Sequence, residues 1–234
     1  MVNIDNDTIK QNDDNELYTV NALSDSEKAW IEEQLFDTLF TVSISRSASS
    51  VVFSGSSYTV TWTLTCQYDG TNVDLDSTPS GWTWSSTGVY TKTTTVTSST
   101  GSSVSSGSVS CTYTSSTGTS GTKTASSVSC TNIKYSYIYT TTDSELSSLD
   151  DIDFDEATQM SSSNSVSGTY SITFTEGQYA YFIIANTSSV SSITQLGLNY
   201  VNDYESMTRT NYGTYKVYRS TNAMSASTQD VTVS

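Results

Sequence analysis

The spacing of apolar residues changes from a helical to a strand period near residue 40. In the segment ALSDSEKAWIEEQLFDTLF, the apolar side chains recur every four residues: Ile31, Leu35 and Leu39, with Phe36 beside them. Such spacing places them along one stripe of a helix. Ser24 followed by Glu27 matches a capping box, in which each side chain satisfies a backbone donor at the helix start. We therefore predict one amphipathic helix, preceded by a polar, acidic and extended arm.

From Thr41 onward apolar and polar residues alternate, which is the period of a strand with one buried and one wet face. The clearest segment is YTVTWTLTC, whose apolar face consists of Tyr58, Val60, Trp62, Leu64 and Cys66. Further segments align Val109 with Cys111 and Tyr113, Val89 with Thr93, and Val128 with Cys130. Roughly seven short strands separated by Gly, Ser and Asp turns predict an immunoglobulin-like sandwich over residues 41–133.

The stretch from Thr97 to Gly118 has the composition of a flexible linker, because serine and glycine dominate it. Its apolar residues nevertheless keep the strand period, and we expect Cys111 to face the core. Threonine is β-branched and its hydroxyl can pair across strands, so a strand can be built from such residues. We therefore predict that this stretch belongs to the sandwich.

A second alternating region follows Ile133. Five segments in it have the pattern of strands: KYSYIYTT, SGTYSITF, GQYAYFIIA, TYKVYRS and QDVTVS. The predicted fold class is all-β. We expect an N-terminal arm and helix over residues 1–40, the immunoglobulin-like sandwich over 41–133, and a C-terminal antiparallel β-domain over 134–234.

The charge of the chain limits its partners. The formal net charge is −15, from nine lysines and arginines against 24 acidic residues. Phosphate backbones and anionic lipids would repel such a chain, so we expect it to bind no nucleic acid. No apolar run is long enough to cross a bilayer, so we expect no membrane insertion. Serine and threonine exceed a third of all residues, which we interpret as strands that face water.

The sequence contains no histidine. This excludes Ser–His and Cys–His nucleophile pairs and removes the commonest general base and metal ligand. We predict no catalytic residue, no cofactor and no metal site, and hence no enzyme. Cys66, Cys111 and Cys130 are interpreted as small buried side chains within strands. One disulfide with one remaining thiol is the alternative.

The acidic residues suggest two further functions, calcium binding and glycoside hydrolysis. Asp151, Asp153 and Asp155 alternate as in a calcium loop, but Glu156 and Ser162 occupy the positions where such a loop needs glycine and glutamate. We favour a solvated loop over residues 150–156, with calcium binding as the alternative. A carboxylate pair for glycoside hydrolysis is the second alternative. The acidic residues lie in polar loops and the arm, away from any recognisable aromatic cleft, which disfavours it.

Two groups of residues are candidates for contacts with other molecules. Aromatic residues in or near loops are candidate glycan contacts, because a ring with a polar tip is more often functional there than in a core: Trp82, Trp84, Tyr200, Tyr204 and Tyr212. Packing or subunit contact is their alternative role. Candidates for attachment or oligomerisation lie in the arm and helix: Leu17, Tyr18, Trp30, Ile31, Leu35, Phe36 and Leu39. Capping of the following β-domain is the alternative role of this helix.

The N-terminal sequence MVNIDNDTIK has neither the basic nor the apolar region of a signal peptide. A β-protein rich in serine and threonine that is made in the cytoplasm without a secretion signal is expected of a virion, which leaves the cell by lysis. Synthesis in the cytoplasm also favours reduced cysteines.

The segment GQYAYFIIANTSSVSSITQLGLNYVNDYESMTRTNYGTYKVYRSTN resembles the C-terminal domain of head- and tail-fibre proteins from crAss-like and related phages of gut Bacteroidales. The resemblance rests on the tyrosine-rich strand from Tyr179 to Ala185 and on the Y-x-V-Y-R-S strand that begins at Tyr215. The segment ALSDSEKAWIEEQLF is also similar to modules of such fibres. The resemblance implies a non-enzymatic, usually trimeric virion appendage, in which Arg219 is structural and pairs with an acidic loop.

The sequence therefore predicts a bacteriophage virion structural protein, either a fibre or a capsid or tail decoration. We expect a homo-oligomer, by resemblance a trimer, that attaches to capsid or tail proteins through its N-terminus. Its β-domains would adhere to bacterial surface polysaccharide through many weak sites at high effective concentration. The alternatives are a bacterial surface adhesin or carbohydrate-binding module and, behind them, a glycan depolymerase.

Overall fold

The computed structural model describes residues 9–11, 17–19, 25–194 and 204–234. Strands account for 51% and helix for 7% of the structure, and the sheets do not close into a barrel. The all-β, sandwich-like class predicted from the alternating pattern is therefore confirmed.

The N-terminal region contains a short strand pair and a helix. Strand β1 (Ile9–Gln11) pairs antiparallel with β2 (Leu17–Thr19). Helix α1 (Asp25–Leu39) follows, which confirms the helix predicted from the apolar spacing. The proposed capping residue, Ser24, lies outside the described residues.

Ten strands occupy the region for which about seven were predicted. They are β3 (Phe40–Arg46), β4 (Ser50–Val52), β5 (Tyr58–Tyr68), β6 (Thr71–Asn72), β7 (Thr83–Ser86), β8 (Val89–Val96), β9 (Ser103–Ser105), β10 (Val109–Thr114), β11 (Ser120–Ala125) and β12 (Ser129–Ile133). The prediction was too low because β4, β6 and β9 have only two or three residues each. Such short strands are too brief to show an alternating pattern.

These strands form three sheets. The largest has the order β3-β5-β8-β7, with β6 paired to β5; the others have the orders β4-β12-β9 and β10-β11. Strand β12 pairs parallel with β4 and antiparallel with β9. The stretch from Thr97 to Gly118 supplies β9 and most of β10, and Cys111 is buried. The prediction that this stretch belongs to the β-structure is confirmed.

The predicted alternation gives the buried face of β5 but not that of β8. Every second residue of β5 from Val60 to Cys66 is buried. In β8 the strand is present as predicted, and its buried residues are Tyr90 and Val96, whereas Val89 and Thr93 lie on its other face. The Tyr90 hydroxyl accepts a hydrogen bond from the Leu75 amide at 2.8 Å. With its polar end satisfied, the large ring can be buried in place of valine.

The five strands predicted after Ile133 are all present. This region contains β13 (Tyr137–Thr141), a 3₁₀ turn (Leu149–Asp151), β14 (Thr158–Gln159), β15 (Gly168–Phe174), β16 (Tyr179–Ala185), β17 (Ile193–Thr194), β18 (Glu205–Arg209), β19 (Gly213–Arg219) and β20 (Ser227–Val233). Strands β14, β17 and β18 are additional to the prediction. They are short or polar, and they lie at the ends of their sheets.

Strand β16 forms the centre of this region. It belongs to a sheet of order β14-β13-β16-β19-β18, and a second sheet has the order β15-β20-β17. One face of β16 packs Phe182 and Ile184 with residues of the second sheet, including Val231. The other face packs Ile183 with residues such as Leu149 of the 3₁₀ turn. Burial on both faces explains the continuous apolar run in this strand.

The chain divides into two compact units, each discontinuous in sequence. Unit 1 comprises Met1–Ser45, Thr63–Lys92 and Gly107–Ser127, and unit 2 comprises Arg46–Trp62, Thr93–Ser106 and Val128–Ser234. The predicted domains are instead continuous segments, and their boundary after residue 133 stays a prediction. Each unit is described separately below.

Candidate functional site

A cleft in unit 2 is the strongest candidate for a binding site. It has a volume of about 330 Å³, which is within the range of small-molecule sites. We refer to it as the edge cleft, because it borders β18, the last strand of the five-stranded sheet. Its lining combines charged, aromatic and apolar side chains: Glu145, Leu146, Tyr181, Tyr204, Glu205, Met207, Val217 and Arg219.

The register of β16, β18 and β19 brings the floor of the edge cleft together. Val217 of β19 lies opposite Glu205 of β18, and Arg219 lies opposite Tyr181 of β16. Residues directly opposite each other in an antiparallel pair project to the same face. The neighbouring strands β18, β19 and β16 therefore place three side chains on one surface of the sheet: Glu205, Arg219 and Tyr181.

Arg219 connects this floor to the acidic segment that precedes the 3₁₀ turn. Its guanidinium donates a hydrogen bond to the Ser144 carbonyl oxygen, and it also hydrogen-bonds the Tyr181 side chain. The Tyr181 hydroxyl donates to the Asp143 carbonyl oxygen at 2.9 Å. Burial raises the pKa of Tyr181, and the nearby Arg219 opposes that shift. Arg219 thus holds the segment that carries Glu145, through a backbone carbonyl oxygen of that segment.

Tyr204 forms an aromatic rim of the edge cleft. Its side chain is 46% exposed. The ring centroid lies 5.6 Å from that of Tyr218 in a tilted arrangement, and the Lys216 ammonium lies 4.9 Å from the Tyr204 centroid. These contacts restrict the ring while leaving part of it open to solvent. A restricted, half-exposed ring loses little conformational entropy when a ligand stacks on it.

The chemistry of the edge cleft suits a ligand with many hydroxyl groups. Glu145 and Glu205 supply carboxylate acceptors, and Arg219 supplies donors. Leu146, Met207 and Val217 provide apolar surface between these polar groups. A few placed polar groups on a largely apolar and aromatic floor are typical of sites that orient a small ligand.

Of the five residues predicted to contact glycans, one borders the edge cleft. Tyr204 lies there, and Tyr200 lies outside the described residues. Trp84 is 52% exposed on β7 of unit 1, where its indole N–H donates to Asp74 Oδ1 at 3.0 Å. Trp84 is thus held at the surface, apart from the lining of the cleft.

Trp82 and Tyr212 are less exposed than Trp84 and Tyr204. Trp82 is 7% exposed, so its ring face is not open to a ligand. Tyr212 is only partly exposed, and the Arg209 guanidinium lies 4.0 Å from the Tyr212 ring centroid. A Cβ atom on Gly55 would lie 2.8 Å from Tyr212 Cε2, which shows how closely the backbone packs on this ring. Both side chains pack within the protein, and a glycan contact by either residue stays a prediction.

The candidate attachment residues of α1 separate into exposed and buried positions. Trp30 is 63% and Leu35 is 46% exposed, whereas Phe36 is 5% exposed. Ile31 and Leu39 are half-buried. The predicted stripe therefore needs a correction, because Phe36 and not Leu35 is the buried residue. Leu17 and Tyr18 lie in β2, and their side chains are outside the described part of the chain.

Phe36 attaches α1 to the β-structure of unit 1. Its ring centroid lies 5.6 Å from that of Phe40, 5.6 Å from that of Tyr68 and 6.5 Å from that of Tyr113. Gly121 of β11 makes room for the ring, since a Cβ atom there would lie 2.3 Å from Phe36 Cε1. The capping role that the sequence left open for the helix matches these contacts.

The acidic segment over residues 150–156 is held to its surroundings by hydrogen bonds. Asp150 accepts hydrogen bonds from the Thr210 amide at 2.8 Å and from the Thr210 hydroxyl at 2.5 Å, and these bonds lower the pKa of Asp150. Asp153 Oδ1 accepts from the Asp155 amide at 2.9 Å. Within the described residues, no three acidic, cysteine or histidine side chains form a cluster suited to a metal ion.

Sequence reasoning missed most of the edge cleft. Glu145, Tyr181, Glu205 and Arg219 are distant in sequence, and strand register brings them together. The expectation that acidic residues lie away from aromatic clefts is wrong, because two of them border this one. The single sequence feature that pointed here was Tyr204, an aromatic residue outside the alternating runs.

Comparisons with known proteins find no family model, no curated protein and no solved structure that matches the chain. In the part of the chain that the structure describes, no helix combines the length and the apolar character needed to span a bilayer.

Proposed function

We propose that the chain is a bacteriophage virion structural protein, a fibre or a capsid or tail decoration, whose β-domains bind bacterial surface polysaccharide. Glycan binding would occur at the edge cleft, and the N-terminal arm and α1 would attach the protein to the capsid or tail and join copies into a homo-oligomer. The observation that carries the binding role is that Tyr204, which is 46% exposed, lines one cleft together with Glu145, Glu205 and Arg219.

The mechanism of adhesion would be multivalent. The edge cleft is open and borders an edge strand, so each site would contribute modest affinity. Several copies on one virion raise the effective concentration of the second and later sites, and overall binding can exceed single-site affinity by roughly 10²–10⁴. A net charge of −15 further favours neutral or cationic glycans over polyanions.

The binding role can be tested by titrating the purified chain with a panel of bacterial capsular and O-antigen polysaccharides. We expect Tyr204→Ala to weaken binding by about 10-fold, because one stacked aromatic contact contributes on the order of 1 kcal/mol. Trp84→Ala is the matched control, since Trp84 is a similarly exposed ring outside the cleft. If Trp84→Ala abolishes binding and Tyr204→Ala does not, the site lies in unit 1 and the edge cleft is not the receptor site.

A second candidate function is hydrolysis of the bound glycan. The observation that favours it is the presence of both Glu145 and Glu205 along the edge cleft, since two flanking carboxylates suffice for glycoside hydrolysis. The assay is release of reducing ends from each polysaccharide that binds. The structural role predicts no release. Release that is lost in Glu145→Gln and Glu205→Gln, with binding retained, would instead identify a depolymerase.

A further inference from the structure

Two buried thiols of unit 1 lie in contact. Cys66 of β5 is 0% and Cys111 of β10 is 1% exposed, and both are free cysteines. The two thiols are close enough for each to shift the pKa of the other, with that of Cys66 raised and that of Cys111 lowered. The two strands belong to different sheets, so the contact is a bridge between sheets and not a neighbour pair along one ladder.

The surrounding side chains show that β5 and β10 are aligned at this point. Two residues beyond each cysteine, the Tyr68 and Tyr113 ring centroids lie 5.3 Å apart. Side chains at positions i and i+2 of a strand point to the same face. The cysteine contact and the tyrosine contact are therefore consecutive pairs along two facing strands.

The hydrogen bonds around the pair are consistent with this alignment. The Cys111 thiol donates to the Val109 carbonyl oxygen at 3.9 Å. Farther along β10, the Thr114 amide donates to Asp76 Oδ1 at 2.9 Å, and the Asp76 amide donates to the Thr112 carbonyl oxygen at 3.0 Å. These bonds fix β10 beside the segment that follows β5 and β6. The bonds to Asp76 therefore connect β10 to the chain that continues from β5 and β6.

We propose that Cys66 and Cys111 form a modification site, an intramolecular disulfide made by exchange with a low-molecular-weight disulfide such as oxidised glutathione. Cys130, on β12 of unit 2, would keep its thiol. This assigns the pair that the sequence left open when it allowed one disulfide and one remaining thiol. The proposal is independent of the proposed virion role.

The exchange proceeds in two balanced steps. The Cys111 thiolate attacks one sulfur of the oxidised glutathione, which forms a mixed disulfide and releases one glutathione thiolate. The Cys66 thiolate then attacks the Cys111 sulfur, which forms the Cys66–Cys111 bond and releases the second glutathione. Two protein thiols are oxidised, one glutathione disulfide is reduced, and the two protons from the cysteines go to the glutathione thiolates.

The order of the two steps follows from the contact between the thiols. The hydrogen bond from Cys66 stabilises the Cys111 thiolate and lowers the pKa of Cys111, whereas the same interaction together with burial raises the pKa of Cys66. The thiolate is the attacking species in disulfide exchange. Because both thiols are buried, oxidised glutathione reaches Cys111 through a local opening of unit 1 in which the two thiols stay in contact.

The bond would join two sheets and close the long segment between residues 66 and 111. Closing a segment of this length restricts the unfolded chain. We expect the oxidised protein to have a thermal midpoint roughly 5–10 °C above that of the reduced protein.

The 234-residue chain is purified in its reduced form and then incubated with oxidised glutathione under native conditions. The thiols that remain are blocked with iodoacetamide, and the protein is digested with trypsin. Cleavage after Arg46, Lys92, Lys123 and Lys134 places the three cysteines in three different peptides, so mass spectrometry identifies any pair directly. We expect a single linkage, Cys66 to Cys111, and a fall from three titratable thiols to one in denaturant. Oxidation in guanidinium provides the comparison, since unfolded chains form all three pairs.

Variants separate the pair from the third cysteine. Cys130→Ser is expected to form the same linkage and to keep the same rise in thermal midpoint on oxidation, whereas Cys111→Ser is expected to show neither. If Cys111→Ser fails to fold, the peptide map of the wild-type chain still decides the result. Three thiols that persist after exchange under native conditions, or a linkage that includes Cys130, would overturn the proposal.

Discussion

Two cations enclosed by aromatic rings show how individual residues stabilise unit 2. The Arg209 guanidinium lies 3.6 Å from the Phe154 ring centroid and 4.0 Å from that of Tyr212. Lys134 is 1% exposed, and its ammonium donates to Asn186 Oδ1 at 3.0 Å and lies 5.2 Å from the Phe53 centroid. Burial lowers the pKa of Lys134. Phe53, Phe154 and Tyr212 therefore pack against cations of this unit.

Tyr215 links this packing to alkaline stability. Burial raises its pKa to about 12, against an ordinary value of 10.0. A raised tyrosine pKa stabilises the folded state fully below pH 10, and that contribution is lost as the pH rises from 10 through 12. We expect the free energy of unfolding of the wild type, relative to Tyr215→Phe, to fall by about 2–3 kcal/mol across this range.

Urea unfolding of the two proteins at a series of alkaline pH values measures this difference. The Tyr215 hydroxyl interacts with Arg209, and the phenylalanine variant lacks this interaction. Below pH 10 the free energies of unfolding of the two proteins therefore differ by a constant amount. Profiles that stay parallel up to pH 12 would show that the Tyr215 hydroxyl is not buried from solvent.

At the scale of elements, the packing of α1 on the β-structure of unit 1 depends on Phe36 and on the absence of a side chain at Gly121. Phe36 enters the space beside β11 that Gly121 leaves free. The exposed residues of the helix, Trp30 and Leu35, lie on the remainder of its surface. The helix therefore packs on the β-structure through Phe36, and we propose that its exposed apolar residues join another chain.

Gly121→Ala tests the packing role. The added methyl group would overlap the Phe36 ring, and we expect a loss of about 1–3 kcal/mol in the free energy of unfolding. Gly101→Ala is the matched control, because a Cβ atom there has no neighbouring atom within 4 Å and Gly101 is exposed. Thermal unfolding followed by circular dichroism gives the comparison; equal stability of the two variants would contradict the packing of α1 on β11.

Replacing Trp30 and Leu35 together by serine tests the oligomerisation role that we propose for α1. Because both residues are exposed, we expect the monomer fold to persist while the proposed trimer dissociates. Light scattering after size exclusion measures the mass of each species. Val52→Ser, at another exposed apolar residue with 40% exposure, is expected to leave the oligomer intact. A wild type that is monomeric at all concentrations would contradict this role.

At the scale of the whole molecule, local sequence pattern predicted which segments form strands better than how those strands meet. The alternation in β5 and the apolar run of β16 are set by burial of one or both faces, and both are legible in sequence. Burial of Tyr90 in β8 was not predictable from local pattern, because its hydroxyl accepts a hydrogen bond from the Leu75 amide, a partner distant in sequence. Strand β18 has a single apolar residue, Met207, and therefore shows no apolar period.

The edge cleft illustrates the same limit for function. Arg219 and Tyr181 are neighbours because β16 and β19 pair in one register, and a shift of one residue would turn the side chains of one strand to the opposite face. Register depends on long-range pairing, so no local pattern could bring Glu145 and Glu205 to one site. The aromatic residue Tyr204 was recognisable, but its partners were not.

The central claim is that this chain is a component of a phage particle. It is tested most directly by mass spectrometry of virions purified by density gradient from a phage that encodes it, with host lysate carried through the same gradient as the control. We predict peptides from the chain in the virion fraction, in an amount proportional to the major capsid protein across the gradient. Their absence from intact virions, or their presence only in fractions without capsid protein, would contradict the virion role.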